Sequence, residues 1–109
     1  NPTPETAMKV GMITSNEPGL YRPGQWGIRI ENLVACQAVE HPAETAFGKF
    51  LHFETLTLCP IDTRLINPTL LNTEETEWLN CYHASVREKL EAHTEGAAKA
   101  WLLERTQAI

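Results

Sequence analysis

The 109 residues fall within the usual range of a single domain, and with 42% of them hydrophobic there is enough apolar material for one core. The net charge of −5 comes with no Lys/Arg run, which excludes the electrostatic footprint of a nucleic-acid binder and disfavours attraction to anionic membranes. Cys36, Cys59 and Cys81 form an odd set with no C-x-x-C spacing, so a reducing, cytoplasmic compartment is expected rather than a disulfide framework. No apolar run approaches the roughly 18 residues of a membrane span. The opening Asn1-Pro2-Thr3-Pro4-Glu5-Thr6 reads neither as a signal peptide nor as a natural start, so the chain is expected to begin inside a longer one.

In chain order, Met8 to Ser15 reads as a short strand interrupted at Gly11, Gly19 to Gln25 as a turn region and Trp26 to Val39 as a longer strand. Together they predict an antiparallel hairpin. In Arg22-Pro23-Gly24-Gln25 the proline presets φ at the second turn position and the glycine permits positive φ at the third, as a type II turn requires. The sequence His41-Pro42-Ala43-Glu44-Thr45-Ala46 reads as a second connection. Phe50 to Cys59 is then a third strand, apolar on both faces and so expected inside a covered sheet. Asp62 to Asn72 is a connector, and Thr73 caps a predicted helix of about 20 residues. Its first turn holds Glu74 and Glu75, beside the positive end of the helix dipole. The helix presents Trp78, Leu79, Tyr82, Val86 and Leu90 as its apolar stripe. Gly96 interrupts this pattern, and Ala97 to Thr106 reads as a shorter helix anchored by Trp101, Leu102 and Leu103. The fold class is α+β, divided into strands over 1–60 and a connector with helical extension over 61–109.

The chemistry concentrates in the hairpin. In Gly27-Ile28-Arg29-Ile30-Glu31 the isoleucines alternate with a guanidinium and a carboxylate, so one strand face is apolar and the other charged. Glu17, in Ser15-Asn16-Glu17-Pro18-Gly19-Leu20-Tyr21, lies on the opposing arm. A two-residue loop pairing Arg22 with Gln25 would place Glu17 and Glu31 on opposite faces. An irregularity at Pro18-Gly19 is therefore expected to bring them together. Converging carboxylates are the donors that manganese- or magnesium-type sites need. Taken alone, the same residues also read as solvated glutamates with a cross-strand ion pair between Arg29 and Glu31.

The motifs S-N-E-P-G-L-Y and G-I-R-I-E-N resemble the paired signature of the pita-bread metallopeptidases, the superfamily of aminopeptidase P, prolidase and methionine aminopeptidase. F-L-H-F-E-T-L-T-L-C-P-I, L-L-N-T-E-E-T-E-W-L-N-C-Y-H and W-L-L-E-R-T-Q-A-I are similar to the C-terminal end of the three-domain aminopeptidases P. The resemblance implies the C-terminal portion of a pita-bread fold and a metalloaminopeptidase that removes the first residue from peptides with proline second. It implies two divalent metal ions, manganese by expectation, in the intact enzyme and none in the fragment. Glu17 is implied as a ligand to one ion and a proton handler, Glu31 as the ligand bridging both, and Arg29 as their hydrogen-bonding support. The family's other ligands, two aspartates and a histidine, are implied to lie before Asn1, so this chain alone is expected to be inactive.

His41, His52, His83 and His93 are read as structural, with His52 as a core histidine. Glu54 is expected to be buried beside a structural partner, and the cysteines to be inert packing residues. Implied partners are the peptide substrate and a second copy of the chain, with no nucleic acid or membrane. The rival readings are a prolidase-like dipeptidase fragment and a non-catalytic dimerisation or binding module.

Overall fold

Five strands dominate the first half of the chain: β1 (Ile13–Asn16), β2 (Gly19–Arg22), β3 (Trp26–Arg29), β4 (Asn32–Ala38) and β5 (Leu51–Thr55). Helices α1 (Thr73–Leu90) and α2 (Gly96–Arg105) dominate the second. This computed structural model describes residues 6–40 and 46–109 and divides at Thr57/Leu58 into two units. His41 and most of the predicted second connection lie outside the described residues.

In the first unit β1, β4 and β5 form an antiparallel sheet with β4 in the middle, and β2 pairs with β3. Asn16 faces Asn32 in one ladder and Gly19 faces Arg29 in the other, which is one unbroken register. The two ladders are therefore successive stretches of a single long hairpin. The predicted strand Trp26–Val39 is in fact two, separated at Ile30-Glu31. Opposite that gap sits Pro18, which has no N–H to give the ladder and only accepts, from the Ile30 N–H at 3.2 Å.

The turn corrects a second expectation. Gln25 N–H donates to the Arg22 carbonyl at 3.0 Å and Gly24 has φ +72°, as a type II turn needs, yet Arg22 pairs with Trp26. The loop thus holds three residues, and this extra residue sets the parity without a bulge beside Glu17. A bulge does occur at Gly11, whose φ is +87°. Its N–H donates to the Cys36 carbonyl at 2.9 Å while Cys36 N–H donates to the Met12 carbonyl at 2.8 Å. That geometry delays β1 to Ile13.

The third strand is shorter than predicted and ends the sheet instead of lying inside it. Phe53 is 53% exposed, and His52 and Glu54 on the other face are also exposed. The expectations of a core His52 and a buried Glu54 are therefore overturned, because within this unit no described element is stacked on either face of β5. Glu54 does have a partner, accepting from Gln37 Nε2 at 3.1 Å across the β4–β5 pair. Burial in this unit is concentrated on β4, at Val34, Ala35 and Cys36.

The second unit has its own core of Tyr82, Val86 and Leu102, lined by Leu58, Ile61 and Leu90. Leu79, Tyr82, His83 and Val86 recur at helical spacing on α1 and are all buried. Trp78, predicted in that stripe, is instead half-exposed and stacks on Tyr82 with ring centroids 5.4 Å apart. The cap of α1 is Asn72 rather than Thr73. Its side chain accepts from Glu75 N–H, and the Glu75 carboxylate accepts from Asn72 N–H, a reciprocal capping box.

The polar residues of the W-L-N-C-Y-H run hold backbone. Tyr82 Oη accepts from Cys59 N–H at 3.3 Å and donates to the Cys59 carbonyl at 2.9 Å. His83 Nε2 accepts from Ile61 N–H at 3.0 Å. Asn80 pairs with Ile109, accepting from its N–H at 3.0 Å and donating to its carbonyl at 3.2 Å. Of the cysteines only Cys36 is buried, so the packing role expected of Cys59 and Cys81 does not hold.

Candidate metal centre

Strand alternation sorts the hairpin into two faces. Leu20, Trp26, Ile28 and Ile30 share the apolar one. Ser15, Glu17, Gly19 and Tyr21 on one arm, with Gly27, Arg29 and Glu31 on the other, share the second. The register continued across the Pro18 gap sets Glu17 directly opposite Glu31. Pro18 and Ile30 form the hydrogen-bonded pair next to them, so the two glutamates occupy a non-hydrogen-bonded position, where facing side chains approach most closely.

Arg29 lies between them. Its Nη1 is 3.9 Å from Glu17 Oε2 and its Nε is 3.5 Å from Glu31 Oε2. The other oxygen of Glu17, Oε1, accepts a short hydrogen bond from Ser15 Oγ. The Arg29 pKa is raised above its ordinary value, first by the neighbouring Tyr21 phenol and then by the charges of Glu31 and Glu17. These three charged side chains are 42–51% exposed, and ion pairs in such settings contribute little to stability. Their convergence is therefore poorly explained as a device for holding the hairpin together.

Two carboxylates on one face are oxygen donors suited to a hard or borderline divalent ion, and Arg29 offsets their mutual repulsion. They do not complete a site by themselves: among the described residues no three His, Cys, Asp or Glu side chains are grouped to hold a metal. The described histidines stand apart from the hairpin's charged face in role. His83 is buried against Ile61, while His52 and His93 are exposed. Two contributors were missed by sequence reasoning, Ser15 and Tyr21. Both share the parity of Glu17, and that was the available signal.

The sequence pattern of metallopeptidase family M24 matches residues 1–38, and that of the C-terminal region of peptidase M24 matches residues 49–109. A Coprinopsis cinerea protein named "Probable Xaa-Pro aminopeptidase P" is 43% identical over 95% of this chain and 17% of its own length. Aminopeptidase P2 of Arabidopsis thaliana is 42% identical over 95% of this chain and 15% of its own. A solved X-prolyl aminopeptidase from Caenorhabditis elegans, described as a cytosolic enzyme with a di-nuclear active site, superposes with a TM-score of 0.81 at 34% identity. That superposition covers 94% of this chain and 17% of the other. The chain thus spans about one sixth of the length of these relatives, and no described helix is long and apolar enough to cross a membrane. With both patterns in chain order and the second alone covering more than half of the residues, the chain belongs to metallopeptidase family M24, whose C-terminal region it carries.

Proposed function

We propose that this chain is the C-terminal part of a cytoplasmic, dinuclear Xaa-Pro aminopeptidase that removes the N-terminal residue from peptides with proline in second position. Residues 1–60 are the closing strands of its catalytic domain, and 61–109 its connector and helical extension. The observation that carries this reading is the placement of Glu17 opposite Glu31 on one sheet face, with Arg29 within ion-pair reach of both.

Glu31 is the bridging ligand in this reading, and Glu17 holds the second position and a proton at its carboxylate. Ser15 and Arg29 each occupy a different oxygen of Glu17 and so fix the plane of that carboxyl group. Arg29 orients Glu31 in the same way. Two divalent ions, manganese in this proposal, supply Lewis-acid polarisation of the peptide carbonyl and a water of lowered pKa when bound. The remaining ligands come from chain outside these 109 residues. Half-exposed Trp78 and Trp101 on the helices support assembly as a homodimer.

The test is Glu31→Gln in the intact protein, which keeps the side-chain volume and removes the charge. Manganese bound per chain should fall, and hydrolysis of an Xaa-Pro peptide should drop by about a thousandfold or more, as expected when a group acting on the transition state is lost. Wild-type turnover and metal content in Glu31→Gln would overturn the assignment. The 109-residue chain alone, given manganese and the same peptide, should show no turnover.

A further inference from the structure

Glu31 lies in the gap between β3 and β4, so its backbone belongs to neither ladder and is set by its neighbours. On one side Ile30 N–H donates to the Pro18 carbonyl, and on the other Asn32 pairs with Asn16. Both contacts join the two arms of the hairpin to each other, and both move with it as a body. Among the described residues, the first backbone contact beyond Glu31 that ties this arm to anything outside the hairpin comes at Leu33, where β4 meets the chain at the end of β5.

That contact is built in an unusual way. The β4–β5 register, continued one position past Val34 and Thr55, sets Leu33 opposite Leu56. In a regular antiparallel rung of this kind each residue donates to the carbonyl of the other. Leu56 N–H does donate to the Leu33 carbonyl, at 2.8 Å. The return bond instead runs from Leu33 N–H to the side-chain oxygen of Thr57, Oγ1, also at 2.8 Å. The hydroxyl thus stands in for the Leu56 carbonyl, and the rung keeps two bonds although β5 has already ended. At the other end of the ladder Val39 N–H donates to the Phe50 carbonyl at 3.0 Å, the ordinary backbone arrangement.

From this geometry we infer that Thr57 is a positioning residue, whose hydroxyl completes the rung at which the carboxylate-bearing hairpin is rooted in the sheet. Leu33 is two residues from Glu31 and shares its sheet face, so this rung is the nearest pivot about which Glu31 can swing. Without the Thr57 oxygen the next fully bonded rung is Ala35–Glu54, two residues farther along β4, and the lever from pivot to carboxylate lengthens by about 7 Å. A longer lever spreads the positions that Glu31 samples. The consequence for metal binding rests on the function proposed above; the rooting itself does not.

The experiment uses the intact protein, with hydrogen exchange read by mass spectrometry on overlapping peptides that resolve the amides of Leu33 and Val39. Thr57→Val keeps the side-chain shape and removes the acceptor. Exchange at Leu33 should quicken about fivefold or more, as the loss of one hydrogen bond predicts, while Val39 keeps its wild-type rate. Thr57→Ser, which retains the oxygen, should restore slow exchange at Leu33. Manganese affinity by calorimetry should fall about 2–30-fold in Thr57→Val, the range for substitutions that act on a site without touching its ligand, and should return in Thr57→Ser. Unchanged exchange at Leu33 in Thr57→Val would overturn the inference, as would equal quickening at Leu33 and Val39, which reports general loosening of the sheet. Wild-type manganese affinity in a Thr57→Val protein whose Leu33 exchange has quickened would overturn the consequence for the metal site. Absence of manganese binding in the wild type would instead sink the metal reading, and Leu33 exchange would still decide the rooting.

Discussion

The two units use their polar side chains in opposite ways. In the helical unit Asn72, Asn80, Tyr82 and His83 each contact backbone, closing a helix end, the segment at Ile109, or the connector at Cys59 and Ile61. On the charged face of the hairpin Ser15, Glu17, Arg29 and Glu31 contact one another instead. Side chains that satisfy backbone stabilise a fold, whereas exposed side chains that converge on each other contribute little to it. The W-L-N-C-Y-H signature is therefore structural, and the E-P-G and R-I-E signatures are the ones to which the proposed function gives chemistry.

The largest test of that contrast removes a core side chain from one unit and a charge from the other. Leu102→Ala empties a site that is 2% exposed, and urea unfolding followed by helical circular dichroism should show a loss of about 2–5 kcal/mol. Glu17→Gln should cost less than about 1 kcal/mol in the same assay, since its partners are exposed charges. Equal losses would erase the distinction between the units.

A sharper version stays within polar groups. Tyr82→Phe leaves both the N–H and the carbonyl of Cys59 without their side-chain partner, and Asn72→Ala removes half of the capping box. Each should lower the stability of the helical unit by about 1 kcal/mol. Arg29→Gln should leave the urea midpoint near the wild-type value. A hairpin variant as damaging as Tyr82→Phe would mean that the charged face is structural after all.

What the sequence made legible follows the same division. Alternation in Ile28-Arg29-Ile30-Glu31 sufficed to assign faces, because strand parity is a local property. The pairing of Glu17 with Glu31 was not local: it depends on whether the turn holds two residues or three, and Pro23-Gly24 is compatible with either. Tyr21 was hidden for the same reason, since its pairing with Gly27 exists only in the correct register. The apolar run at Phe50 to Cys59 misled in another way. Composition reports that a strand has apolar faces but not whether another layer covers them, and so His52 and Glu54 were expected inside. On α1 the stripe was legible from its spacing, while the choice of Asn72 over Thr73 as cap turned on Glu75 lying three residues beyond it.

The smallest expected effect concerns His83, the one described histidine that is fully buried. Its Nε2 accepts from Ile61 N–H, which an imidazolium cannot do, and its Nδ1 has no partner among the described residues. Burial first, and then the charge of Arg87 four residues along α1, lower its pKa below the ordinary 6.5. The unfolded chain therefore takes up the proton before the folded one does. The stability contributed by neutral His83 is complete above about pH 6.5 and declines as pH falls from there toward the lower folded value. Urea midpoints of the helical unit should consequently drop between pH 7.5 and pH 5.5 in the wild type. In His83→Gln, whose amide oxygen can accept from Ile61 N–H without titrating, this drop should shrink. A drop of unchanged size would assign the acid sensitivity to other groups and leave His83 as a neutral clamp alone.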